Sequence, residues 1–351
     1  MYRIAGAIGA GLLVAAGSAV ADDVKESTTV GAKAFVDLTN IDQSSNGVAQ
    51  PANGTGVDIK RFYVIVNHAF DATWAGNVTT DFNYSSSTGE TQVYIKKAYL
   101  QAKLADAATV RLGSADLPWV PYVENLYGYR YVEQELLDRL KFGTSADWGV
   151  HAAGTVAPAA NFGYALSAIN GNGYKNPSRS KNLDIEGRIS VQPLPGLSLA
   201  AGFYSGKLGK DVQGAVTHNS ADRLDLLAAY VNEQWRVGAE YFAAKNWKQV
   251  TAVATDKADG YSLWAAFAPR AGFSVFARYD TAKPSKTLVP ALKDTYFNVG
   301  VAYAPRKNVE LALVYKDDKI EHGSWATGSG TIGGSAGGEY REIGLWSQFG
   351  F

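Results

Sequence analysis

From Val30 to Phe351 the chain alternates apolar and polar positions in segments of roughly ten residues separated by turn residues, with almost no helical periodicity between them. Leu224, Leu226, Ala228 and Tyr230 alternate with Arg223, Asp225, Leu227 and Ala229, and Trp235, Val237, Ala239 and Tyr241 with Arg236, Gly238, Glu240 and Phe242. The same holds for Phe273, Val275, Ala277 and Tyr279 against Ser274, Phe276, Arg278 and Asp280, and for Val309, Leu311, Leu313 and Tyr315 against their neighbours. The pattern predicts sixteen strands, over 28–39, 57–70, 73–85, 91–104, 107–116, 146–157, 160–170, 181–193, 196–207, 221–231, 234–246, 258–269, 272–283, 293–304, 307–319 and 338–351. Their connections alternate between tight turns, such as Asp71-Ala72, Pro158-Ala159 and Leu194-Pro195, and long loops, the longest at 117–145. An even-stranded up-and-down antiparallel barrel with both termini on the short-turn side produces that rhythm.

The predicted fold is therefore all-β, a transmembrane barrel with one face for lipid and one for water. No water reaches a backbone N–H or C=O in hydrocarbon, and each unpaired group costs several kcal/mol, so a sheet spans a membrane only by closing on itself. Strands of about 9–11 residues tilted near 45° match the bilayer. The N-terminus fits this destination. Arg3, an apolar run from Ile4 to Ala16 and Ala19-Val20-Ala21 form a secretory leader over residues 1–21, leaving 22–351 as one barrel domain. The apolar run is too short to span a bilayer as a helix.

Composition adds exclusions. The absence of Cys removes disulfides, thiolate zinc sites and covalently attached haem. With 33 basic and 33 acidic residues the formal charge is balanced, and no electrostatic case exists for nucleic acid. Aromatics are plentiful, with 20 Tyr, 14 Phe and 8 Trp, and many, such as Trp74, Tyr230, Trp235, Tyr303 and Phe349, fall on the outward parity near strand ends, as interfacial girdles do. Trp264, Phe276 and Trp346 are the strong inward aromatics, a weak case for a sugar-stacking path. His68, His151, His218 and His322 have no metal-ligand spacing, and no cofactor is implied. His218-Asn219-Ser220 beside Asp222 is the only cluster that offers the residue types of a hydrolase, and the Gly-rich stretch from Gly328 to Gly338 reads as a flexible loop.

The closing segment Ile343-Gly344-Leu345-Trp346-Ser347-Gln348-Phe349-Gly350-Phe351 resembles the last strand of bacterial outer-membrane proteins, in which the terminal aromatics, here Phe349 and Phe351, are read by the barrel-assembly machinery. Ile59-Lys60-Arg61-Phe62-Tyr63, Lys97-Ala98-Tyr99-Leu100 and Val110-Arg111-Leu112-Gly113-Ser114 running to Leu117-Pro118-Trp119 resemble the phosphate-selective porin O and P superfamily. The likeness covers the first third of the chain; the rest follows it by strand rhythm alone. It implies a porin in the outer membrane of a Gram-negative bacterium, in contact with outer-membrane lipid and lipopolysaccharide. It also implies a homotrimer, each pore narrowed by an inward-folded loop 3. Residues 117–145 are the candidate loop: 131–140 has helical spacing, and Leu126, Tyr127, Tyr129, Leu136, Leu137 and Leu140 need a surface to pack on.

Read by parity, the lumen receives ten basic and ten acidic side chains, and the first five strands supply Lys33, Arg61, Lys97, Lys103 and Arg111 against Asp37 and Asp81. Loop 3 adds Glu124, Glu133, Glu135 and Asp138 against Arg130, Arg139 and Lys141. Arg61, Lys97 and Arg111 are expected to form a basic wall facing the acidic part of the loop, favouring small polar or anionic solutes. The alternative is that these charges only neutralise nearby carboxylates. A barrel that sheathes a partner protein, or an outer-membrane hydrolase, are the competing functional readings.

Overall fold

The computed structural model describes residues 25–85, 90–156 and 161–351. The leader expected over 1–21 and the turn at Pro158-Ala159 lie outside these residues. Sixteen antiparallel strands form one closed barrel. They are β1 (Ser27–Ser45), β2 (Gly54–Ala69), β3 (Trp74–Ser85), β4 (Glu90–Ala105), β5 (Ala108–Asp116), β6 (Ala146–Val156), β7 (Phe162–Ile169) and β8 (Asp184–Leu194). The second half comprises β9 (Leu197–Gly206), β10 (Ala221–Val231), β11 (Trp235–Lys245), β12 (Lys257–Arg270), β13 (Phe273–Lys283), β14 (Lys293–Arg306), β15 (Val309–Glu321) and β16 (Gly337–Gly350). Each strand pairs with its neighbour in sequence, and β16 closes on β1 from Lys33 opposite Gly350 to Ser45 opposite Gly338. The strand boundaries fall within a few residues of the sequence pattern, except that β1 runs six residues further, to Ser45.

Alternation separates the two faces. On β12, Ala258, Trp264 and Ala266 are buried inside while Tyr261 and Leu263 are exposed outside. Leu226, Val301, Leu313 and Ile343 continue that apolar outer band, which in water would be a large exposed patch and in lipid is matched to its solvent. Trp74, Tyr230, Trp235 and Tyr303 add aromatic rings to it.

The barrel's interior is partly filled. Residues 117–145 enter it carrying α1 (Val120–Tyr127) and α2 (Leu136–Arg139). Pro121 lies in the first turn of α1, where its missing N–H costs nothing, and Gly128 ends the helix at φ 85°. The Glu135 carboxylate caps α2 by accepting the N–H groups of Leu137 and Asp138. Val120, Val123, Leu136, Leu137 and Leu140 are fully buried against the inner wall. The inward aromatics serve as that wall: Phe276 stacks on Tyr129 at 4.1 Å and Trp264 packs edge-on to Tyr127 at 5.9 Å. They are thus covered rather than open to a passing sugar.

The Gly-rich stretch differs from its expected flexible form. Ser324–Thr327 and Gly330–Gly333 pair as a hairpin. Its Trp325 is buried and donates to the Leu140 carbonyl at 3.0 Å, so this hairpin holds the inserted loop from above.

Candidate functional site: a one-sided lumen

Loop 117–145 is fastened to β8–β15 by charge as well as by apolar contact. The Arg139 guanidinium, fully buried, reaches Asp280 at 2.9 Å, Asp294 at 2.6 Å and Asp318 at 3.1 Å. Arg278 pairs with Asp280 at 2.7 Å and donates to the Gln134 carbonyl, and Arg223 pairs with Asp225 at 2.9 Å while donating to the Phe142 carbonyl at 2.6 Å. Lys316 bridges Glu133 at 3.4 Å and Glu342 at 3.2 Å. Trp119 donates to Glu240 at 2.8 Å and packs on Gly202, where a Cβ would come within 2.4 Å of its ring. These four cations have carboxylate partners, whereas Arg188 and Arg236 on the same side donate to the loop carbonyls of Pro118, Asn125 and Leu126 instead.

Open space lies along β1–β5 and β16. A cavity of about 400 Å³ toward the long loops is lined by Lys60, Arg61, Arg130, Lys141, Lys175 and Glu342 among others. A second, of about 560 Å³ toward the short turns, is lined by Lys33, Tyr63, Lys96, Lys97, Asp116, Glu124 and Arg130. Phe35 and Arg130 line both cavities and mark the neck between them.

Two β-bulges double the cations on this side, one pair in each cavity. Phe35 faces Arg61 and Val36 faces Ile59, leaving Lys60 as an extra residue in β2. Thr79 faces Lys97 and Thr80 faces Ile95, leaving Lys96 extra in β4. A bulge resets the alternation, so two consecutive side chains reach the same face. Ile59 and Phe62, three apart, both point outward, and Lys60 and Arg61 between them both point in.

The neighbouring carboxylates answer only some of these charges. Lys60 meets Asp37 at 3.3 Å, Arg61 meets Asp81 at 3.1 Å, Lys97 meets Asp116 at 2.5 Å, and Arg130 pairs with Glu124. Among the described residues, Lys33, Lys96, Arg111, Lys141 and Lys175 have no carboxylate at ion-pair distance. Aromatic rings and polar groups contact them instead. Lys33 lies 5.1 Å from the Phe35 ring centre, Lys96 4.7 Å from Tyr63 and Lys175 4.5 Å from Tyr94. Arg111 donates to Gln101 at 2.8 Å, and Lys141 to the Gln134 side chain at 3.2 Å. Desolvation lowers the affinity of the Lys141 and Lys175 ammoniums for their protons, and repulsion from Arg61 adds to it in both. In the loop, burial raises the Glu124 carboxyl above its usual range against the pull of Arg130.

The structure scatters the expected basic wall vertically. Arg61 lies in the long-loop cavity, Lys97 in the short-turn cavity, and Arg111 is paired to Gln101 outside either cavity lining. Lys103 pairs with Asp106 at 2.9 Å near the short-turn rim. The acids of the loop do not face this wall together. Glu135 is buried as the α2 cap, Glu133 turns to Lys316, and Arg139 is sealed among its three aspartates; Asp138 approaches Arg130 at 3.7 Å. What the loop contributes at the neck is Arg130. Lys60, Lys96 and Lys175 were missed by sequence reasoning, and the adjacent basic pairs Lys60-Arg61 and Lys96-Lys97 were the available signal. Phe351 seals the seam: its N–H donates to the Ala32 carbonyl at 3.1 Å and its carbonyl accepts from the Ala32 N–H at 3.0 Å. Asp222 is engaged by Ser205 at 2.7 Å, and no His218–Ser220–Asp222 hydrogen-bond relay forms.

No family model and no curated protein matches the sequence. Solved structures do resemble the fold. The anion-selective porin from Comamonas acidovorans superposes with a TM-score of 0.68 at 12% identity, over 93% of this chain and 100% of that one. The outer membrane channel DcaP of Acinetobacter baumannii gives 0.64 at 12% identity, over 93% and 97%. The trimer form of OmpT, an outer membrane protein of Vibrio cholerae, gives 0.63 at 10% identity, over 93% and 99%. At these identities the likeness is one of architecture: the chain has the fold of outer-membrane porins.

Proposed function

We propose that this protein is an outer-membrane porin, a water-filled channel for passive diffusion of small polar solutes with a preference for anions. The observation that carries the reading is the asymmetry of the lumen. Toward β8–β15 the cations Arg139, Arg223, Arg278 and Lys316 sit on carboxylates and Arg188 and Arg236 on loop carbonyls, whereas Lys33, Lys96, Lys141 and Lys175, which line the open cavities, have no carboxylate partner among the described residues. Fixed charge of one sign in a narrow, low-dielectric passage concentrates counter-ions and raises their flux. Loop 117–145 acts as the constriction by filling part of the bore and presenting Arg130 to both remaining cavities.

The phosphate-selective porin resemblance agrees with this placement, because two of its stretches, Ile59–Tyr63 and Lys97–Leu100, hold or adjoin the bulged cation pairs. Phosphate is one candidate among small anions. A homotrimer is the proposed assembly, in line with the trimeric neighbour from Vibrio cholerae. Phe349 and Phe351 are the proposed signal to the assembly machinery. The test is a planar-bilayer recording of the purified protein in a salt gradient. A reversal potential on the anion side supports the reading; a cation-side potential overturns the preference, and a sealed bilayer overturns the channel.

A further inference from the structure

A side pocket of about 360 Å³ adjoins the long-loop cavity, sharing Arg61, Gln134, Lys141 and Lys175 with it. Segments that follow β7, β9 and β11 complete its lining. Part of that lining is apolar. Leu117, Ile169 and Tyr204 are buried there as a small cluster apart from the main core, and Leu208 and Trp247 pack half-buried against them. The polar edges of the two aromatics are already engaged, because the Tyr204 hydroxyl donates to Asp184 at 2.5 Å and the Trp247 N–H to the Lys141 carbonyl at 2.9 Å. Their rings, 5.0 Å apart, therefore offer the pocket hydrocarbon.

Two lining residues hold strained backbone. Leu208 sits at φ 53° and Lys141 at φ 62°, a left-handed conformation that a residue with a bulky side chain adopts only at a cost. Asn or Gly would fit both positions with less strain, so stability alone does not select these side chains.

The charged part of the lining is lopsided. Its acids are answered: Asp147 accepts the N–H groups of Trp148, Gly171 and Gly173, Glu186 accepts from Trp119 and meets Arg223 at 3.5 Å, and Asp138 accepts from Gln134 at 2.6 Å. Among the described residues, Lys141, Lys175 and Lys210 have no carboxylate at ion-pair distance. A small hydrated anion would leave the apolar lining uncovered. A sugar would set hydroxyls against Leu117, Ile169 and Leu208, which have no polar group to answer them. A molecule with both a negative charge and a hydrocarbon body matches the whole lining, and the volume is that of a small-ligand pocket.

We infer that this side pocket binds organic anions with an apolar body, of the class of medium-length carboxylates. Lys141, Lys175 and Lys210 hold the carboxylate, while Leu117, Ile169, Leu208 and Trp247 cover the hydrocarbon. The inference rests on the channel reading, to which it adds an amphipathic class of solute taken up at the long-loop mouth.

The test is a calorimetric titration of the folded, detergent-solubilised barrel with hexanoate, acetate and hexanamide. Hexanoate should bind roughly tenfold or more tightly than either of the others, since acetate lacks the body and hexanamide the charge. Leu208→Asn, which suits the left-handed backbone, should weaken hexanoate about tenfold and leave acetate unchanged. Lys141→Asn/Lys210→Gln should weaken hexanoate about fivefold and leave hexanamide unchanged. Hexanoate binding no tighter than acetate or hexanamide, or unchanged hexanoate affinity in the folded variants, overturns the inference. Binding is read in detergent and conduction in the bilayer, so failure of the pocket and failure of the channel are distinguished.

Discussion

Arg139 and Asp294 lie 155 residues apart in sequence and 2.6 Å apart in space, both fully buried inside the barrel. Asp280 and Asp318 complete the cradle around the same guanidinium, and the Tyr296 ring lies 4.5 Å below it. The contact is the chief polar fastening of loop 117–145 to the wall. Removing one partner of a buried charge cluster strands the others, at about 3–5 kcal/mol. Arg139→Ala is expected to unseat the loop without opening the barrel, whose backbone ladder is untouched. Single-channel recording should give larger and noisier conductance steps, while the folded form still resists heating in detergent on a gel.

Neutralising the unpaired cations beside the neck should move selectivity. Lys96→Gln/Lys175→Gln is expected to shift the reversal potential toward the cation side. A unit charge about 4 Å from the path is worth about 1 kcal/mol in water, roughly fivefold in the permeability ratio. Lys103→Gln, at the rim and already paired with Asp106, should shift it far less.

The inserted loop carries its own pH dependence. Glu135 is held well above the ordinary carboxylate range, first by burial and then by repulsion from Glu240. Its folded-state value exceeds its unfolded one, so its contribution to stability is fully present below the unfolded value near pH 4.3 and declines as pH rises through the folded value. The loop should therefore be held more firmly at acid pH. Glu135→Gln, neutral throughout, should flatten the dependence of channel noise on pH; an unchanged slope would place the titrating group elsewhere.

Deleting Phe351 separates assembly from stability. The residue adds two backbone hydrogen bonds to a seam already paired from Lys33 to Ser45, and its ring is exposed. Barrels refolded in detergent should lose little stability, about 1–3 kcal/mol for two hydrogen bonds. Insertion into the outer membrane of living cells should fall sharply. Equal loss in both settings would make Phe351 a structural residue only.

The barrel was legible in the sequence because its information is local. Period-2 alternation, as in Leu224–Tyr230, and the succession of tight and long connections decide which side chains face lipid and how many strands there are, and closure follows from the need to pair every backbone group. Inward parity likewise placed Arg61, Lys97, Arg223, Arg278 and Lys316 in the lumen. Tertiary structure alone decided that these five are paired while Lys33 and Lys96, among the described residues, are not. A bulge is a property of two paired strands, so Lys60 and Lys96 enter the channel only once β2 has met β1 and β4 has met β3. Neutralisation depends on where the loop docks, and that turns on contacts such as Arg139 with Asp294 and Lys316 with Glu133, which join charges far apart along the chain. Alternation records the face that each residue occupies, whereas the Coulomb energy that sets selectivity depends on distances only the closed and filled barrel defines.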